Sequence, residues 1–226
     1  MAGLMEVIRK YLEINRFRFT MSANWENFRF VVVDSESTGL NAEKDRLVSL
    51  AGMGVRNGDI CLWDQFSVVM PVEYNTSSVT VHGITREAAA DGVEEPEAIA
   101  GFLDWMADGI IVGHHIQHDL TMFNLACQRH FSCVLRNVAV DTMEAYLAVR
   151  AAGGFKDQPE PPGYSLDALL DHFKVVPHDR HTAHGDAFLT AQVLLRILKE
   201  AGKLGLWNLE DLHAWYADQP FPYQNG

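Results

Sequence analysis

The sequence predicts an α/β domain built on a mixed sheet with helices on both faces. Three observations carry that expectation. Apolar, β-branched runs come first, at 28–34, 47–55 and 60–69, and Asn57-Gly58 between the last two is a strong hairpin signal. Beyond Pro71 the apolar residues switch to helical spacing. From there to residue 201, short apolar runs alternate with amphipathic stretches, the order expected of a sheet covered on both sides.

Each element has its own local reason. Residues 1–27 read as an N-terminal helical extension, with Leu4, Val7, Ile8, Tyr11 and Leu12 at helical spacing. The run 28–34 (FRFVVVD) is a buried strand, and 47–55 and 60–69 are its antiparallel partners. Residues 95–106 place Ile99, Phe102, Leu103 and Met106 on one helical face. A strand at 110–113 precedes a helix over 119–130; a strand at 138–141 precedes a helix over 142–149. The segment 152–163 is rich in glycine and proline and reads as a loop. Ser165 suits the N-cap of a helix over 166–173, and 184–201 forms the last long helix. That makes five strands. The tail, 206–226, holds Trp207, Trp215 and Tyr216 among acids, and its pattern assigns it no element.

Composition narrows the class. The chain has 226 residues, 48% of them hydrophobic and 21% charged, which suits one globular domain with a core of its own. No uncharged apolar run nears the roughly 18 residues of a membrane span. The N-terminus lacks the marks of a secretory signal. Three cysteines make no disulfide framework, so a reducing, cytoplasmic setting is expected. The net charge of −12 argues against broad wrapping of a polyanion. It leaves room for an enzyme that grips a few nucleotides through divalent cations, which reverse the local field.

Several carboxylates stand where chemistry could use them. Asp34 and Glu36 close the first strand, and period-two geometry turns both to one face. Two such groups repel unless a cation lies between them. Ser37-Thr38-Gly39 follows as a turn whose backbone N–H groups could meet a phosphate. Asp119 opens a helix, where an acid also favours the dipole. His181 and Asp186 belong to HTAHGDA, the histidine on a loop and the acid in the first turn of the last helix. Taken singly, each segment has a plain structural reading. Taken together, an all-oxygen set suits Mg²⁺ or Mn²⁺, and two such ions could serve a phosphodiester displacement with a loop histidine as general base.

The motifs resemble the DEDDh (DnaQ-like) family of 3′–5′ exonucleases, the group of the proofreading epsilon subunit of bacterial DNA polymerase III and ribonuclease T. The first motif is similar to Asp34-Ser35-Glu36-Ser37-Thr38-Gly39-Leu40, the second ends at Asp119, and the third runs from His181 to Asp186 and Ala187. Val81-His82-Gly83-Ile84-Thr85 resembles a substrate-side segment, and Ser165 to Leu169 the helix before the third motif. The match spans about 28–201, in the family's order. The resemblance implies a ribonuclease H-like fold, two Mg²⁺ or Mn²⁺ ions on Asp34, Glu36, Asp119 and Asp186, and His181 as base. It also implies substrate contacts from Ser37, Thr38, Gly39, Leu40, His82 and His115. Ser37 stands where the family commonly has Thr, His115 where it commonly has Asn, and His184 at a usually apolar position.

On this reading residues 28–205 are the exonuclease domain. The expected substrate is a nucleic-acid 3′ end, most simply single-stranded DNA in proofreading or repair. An exoribonuclease is the alternative, as is a binding module that docks a replication or repair protein through the flanking segments. A zinc site drawn from His114, His115, His118, Cys127, His130 and Cys133 is a weaker rival, because a helix with buried cysteines and surface histidines accounts for them.

Overall fold

The computed structural model describes residues 2–71, 83–85, 89–220 and 222. Its centre is β1 (Phe30–Ser37), flanked by β2 (Leu47–Arg56) and β4 (Ile110–Gly113). The sheet runs β3 (Asp59–Val69), β2, β1, β4, β5 (Val138–Asp141) and β6 (Trp215–Tyr216). The first three strands are antiparallel neighbours, as the hairpin signal predicts; β1, β4 and β5 run parallel, and β6 is antiparallel to β5. The sheet therefore has six strands and not five. The sixth lies in the tail, where two residues are too few for periodicity to reveal a strand. The first strand also extends to Ser37, past the apolar run, because β2 goes on pairing with it through Asp34, Ser35 and Glu36.

Helices cover both faces, and the alternation of β1 decides which. Val31 and Val33 point into one core with α1 (Ala2–Ile14), α2 (Glu95–Met106) and α3 (Gln117–Phe131). Phe30 and Val32 point into the other, with α4 (Thr142–Ala151), α5 (Leu166–His172) and α6 (Ala183–Lys203). Ser165 caps α5 as expected, accepting from the Ala168 N–H at 3.3 Å.

Both flanking segments pack onto this body. Ile8 and Tyr11 of α1 are buried against the α2 side. The stretch before β1 is laced to the tail: Trp25 donates through its indole to Leu206 O at 2.8 Å and through its backbone to Trp207 O at 2.9 Å. Tyr216 donates to Phe19 O at 2.6 Å. Asn137 ties these parts to the sheet. It accepts from the Tyr11 hydroxyl at 2.6 Å and donates to Ala107 O and Gly109 O at 3.0 and 2.8 Å, while its own carbonyl accepts from the Ala217 N–H.

Asn137 is 2% exposed, so its loss takes the acceptor from the Tyr11 hydroxyl and a donor from Gly109 O away from water, while Ala107 O keeps its bond from Asn15 Nδ2 at 2.9 Å. Asn137→Ala is expected to cost about 3 kcal/mol, because each buried unsatisfied group forfeits 1–3 kcal/mol. Lys10→Ala breaks an exposed pair with Asp104 and should change stability by less than about 0.5 kcal/mol. Urea denaturation of the two variants checks the contrast.

Candidate active site

The site lies where β1 emerges from the sheet. Alternation turns Asp34 and Glu36 toward the N-terminus of α6 and Ser35 toward α3, since these residues continue the two faces set by Val32 and Val33. Asp186 stands in the first turn of α6, whose N-cap is Thr182, its side chain accepting from the Gly185 N–H. Ligand oxygens of Asp34, Glu36 and Asp186 lie within 4.8 Å of one another. Residues far apart in sequence thus meet at one point.

Asp119 reaches the site from the other face of the sheet, in the first turn of α3. It does not join the group of three just described; its Oδ1 accepts from Ser35 Oγ at 2.6 Å and Ser35 N at 3.1 Å. The four acids of the sequence argument are therefore three in close approach and one held beside them by Ser35. That serine stands between the two acids of the first motif, and its facing the other way is what frees it for Asp119.

Electrostatics confirms that the acids share one field. Burial pushes the Asp34 carboxyl well above its ordinary range, and the charges of Asp119, Asp186 and Glu36 push it further. Glu36 is raised to about 7 by burial and then by Asp186 and Asp119. Asp119 is raised to about 6, burial outweighing its bonds from Ser35. Carboxylates in this condition fit a hard divalent cation: every donor is an oxygen, and a cation between them offsets their repulsion.

The loop before α6 carries His181, whose side chain is exposed and whose backbone N–H donates to Asp186 Oδ2 at 3.3 Å. The same loop supplies Arg180, a residue the sequence argument passed over. It pairs with Asp186 through Nη1 and with Asp167 through Nε at 2.8 Å. Nothing in the local pattern marks an arginine for that role, because its partners lie on two different helices. The loop packs closely: a Cβ at Gly185 would meet Asp179 O at 2.0 Å, so only glycine admits the backbone there.

The remaining predicted residues are spread around this centre. Ser37 donates to Gly39 O at 2.7 Å, and Thr38 donates to Asp45 Oδ1 at 2.8 Å. A side chain at Gly39 would collide with the Asp45 carboxylate, so this turn is tied from within and presents Leu40, 88% exposed, at its tip. His115 is exposed in a left-handed conformation after β4, with its ring against His114 at 4.5 Å. His82 lies outside the described residues. His184 bonds to Gln65 at 3.2 Å, and His130 of the zinc rival spends its Nε2 on Glu95 at 2.6 Å.

Comparison with known proteins gives the family and the fold. The family model described as Exonuclease matches residues 31–194. The DNA polymerase III subunit epsilon of Aquifex aeolicus is 30% identical over 173 residues, covering 76% of this chain and 81% of that protein. The PolC-type DNA polymerase III of Latilactobacillus sakei is 28% identical over 180 residues, covering 79% of this chain; the match spans 12% of that much longer protein. In fold the chain is similar to Escherichia coli exonuclease I in complex with a dT13 oligonucleotide, with TM-score 0.65 and 18% identity, over 79% of this chain and 42% of that one. It is also similar to exonuclease X in complex with 5′ overhanging duplex DNA, with TM-score 0.58 and 22% identity, over 81% and 96%. No helix among the described residues is long and apolar enough to cross a membrane.

The raised carboxyls make a testable pH dependence. A group whose native pKa lies above its unfolded value keeps a proton in the fold that the unfolded chain has already shed, so stability falls as pH rises through that window. In EDTA the protein should lose stability between the ordinary glutamate value, 4.5, and about 7, where Glu36 titrates. Asp34→Asn, which removes a carboxyl that is itself held well above its ordinary range, should flatten the slope. Melting temperatures across that range decide it; a flat wild-type curve counts against the mutual repulsion.

Proposed function

The chain belongs to the exonuclease family, and on that premise we propose that it hydrolyses phosphodiester bonds from the 3′ end of nucleic acid, with single-stranded DNA as substrate. One observation carries the catalytic reading: the close approach of Asp34, Glu36 and Asp186, each half-buried or buried, with Asp119 beside them. A binding module would have no use for so much internal repulsion. The relatives' names, a DNA polymerase III epsilon subunit and PolC-type polymerases, favour DNA over RNA and a setting in proofreading or repair. A replication or repair partner and a cytoplasmic location belong to the same proposal.

Asp34, Glu36, Asp119 and Asp186 would hold two Mg²⁺ or Mn²⁺ ions, which when bound offset charge on the phosphate and favour ionisation of water. The rest falls to the chain's own residues. His181, exposed on its loop beside Asp186, accepts the proton of the attacking water at a ring nitrogen, the task for which imidazole is suited near neutrality. Leu40 offers an apolar surface to the terminal base, held out by the internally bonded turn of Ser37, Thr38 and Gly39. His82 and His115 are assigned to the substrate side with them. The acidic surface, net −12, limits the grip to a short stretch of one strand.

Digestion of matched 5′-labelled DNA and RNA strands tests the reading: the DNA should shorten from its 3′ end, release 5′-monophosphates, and stop in EDTA. Activity undiminished by chelation would sink the metal assignment. His181→Ala should slow turnover by about 10²–10⁴, the usual worth of a general base, and leave Mn²⁺ binding nearly intact. Asp186→Ala should lose both. Single-turnover rates and calorimetry on the two variants separate base from ligand.

A further inference from the structure

Arg180 has a place in the site that ordinary surface pairing does not explain. Its guanidinium is fixed at two points, by Asp167 at the start of α5 and by Asp186 at the start of α6. The Arg180 side chain is 18% exposed and that of Asp186 11%, so the second pair is well shielded from water. Backbone from the same loop takes the other oxygen of Asp186, through the His181 N–H. Both oxygens of one acid in the cluster are thus engaged by the segment that carries the proposed base. Arg180 is also the cation whose charge opposes the upward shift at both Asp34 and Glu36.

We infer that Arg180 is the resident counter-cation of the acid cluster, a positioning residue that occupies Asp186 until a divalent ion takes it and thereby ties the histidine loop to the state of the site. This rests on the metal-dependent reading above. The physical argument is competition. A divalent ion at Asp34, Glu36 and Asp186 would draw on a carboxylate whose Oδ1 is bonded to Nη1 and whose Oδ2 accepts from the His181 N–H, and a fixed positive charge beside it opposes the ion's entry. Asp167 keeps hold of Nε when Nη1 is displaced, so the loop loses one of its two bonds to Asp186 without being set free. Arginine suits this double hold because its planar fork presents several donors in fixed directions, which a lysine ammonium cannot match.

Calorimetric titration of the full chain with Mn²⁺ alone tests it, comparing wild type, Arg180→Gln and Arg180→Lys. Arg180→Gln removes the competing charge and should bind Mn²⁺ about tenfold more tightly, the order expected for deleting one charge a few ångströms from a divalent ion. Its melting temperature in EDTA should fall, with a larger rise on adding Mn²⁺ than wild type shows. Arg180→Lys keeps the charge and should return Mn²⁺ affinity toward the wild-type value, while single-turnover rates stay low because the link to Asp167 is gone. A residue that merely braced the loop would not tighten cation binding when removed. Equal or weaker Mn²⁺ affinity in Arg180→Gln overturns the inference and leaves the metal site standing. Absence of Mn²⁺ binding in all three overturns the metal site and the inference with it.

Discussion

The mutual repulsion of Asp34, Glu36, Asp119 and Asp186 sets what the rest of the structure must withstand. Like charges gathered in a half-buried cleft move apart or take up protons unless something stiff holds them. The stiffness comes from β1, which pairs with β2 along its whole length, Asp34 and Glu36 included, and is anchored to β4 at Phe30, Val31 and Val32. Its acids therefore have no freedom to separate. Asp186 is fixed by the first turn of a 21-residue helix whose inner face is dry, and Asp119 by a helix packed on the opposite face. Burial first, and the neighbouring carboxylates after it, hold Asp34 and Glu36 above their ordinary range, while burial raises Asp119.

Placement of the site at the carboxyl ends of parallel strands follows from the same topology. β1, β4 and β5 run together, so the loops after them open at one end of the sheet, the usual place for ligands in such folds. Asp141 at the end of β5 shows how that end is organised: its carboxylate accepts from the N–H groups of Ile116 and Met143, capping one helix and steadying the start of another. The loops that surround the acids are thus anchored by side-chain-to-backbone bonds together with buried apolar residues such as Ile116.

At the far edge, the flanking segments contribute to the same rigidity. The stretch before β1 and the tail after α6 bond to each other through Trp25, Trp207 and Tyr216, and Asn137 joins both to the helix α1 side. β6 then covers β5, which would otherwise expose an unpaired edge.

The sequence by itself determined the fold class, most element positions and the acids of the site. Those follow from local rules: period-two alternation in 28–34, helical spacing in 95–106, a serine cap at 165, and carboxylates at strand and helix ends where they are conspicuous. What tertiary structure decided is different in kind. The sixth strand is two residues long and exists only because β5 offers it a partner. Asp119 is held by Ser35, and Arg180 by Asp167 and Asp186, through contacts between residues on different elements. Periodicity reports how a segment meets water on one side and core on the other; it carries no record of which distant side chain will complete a hydrogen bond. The three acids that come together and the arginine that restrains one of them were therefore settled only when the chain closed on itself.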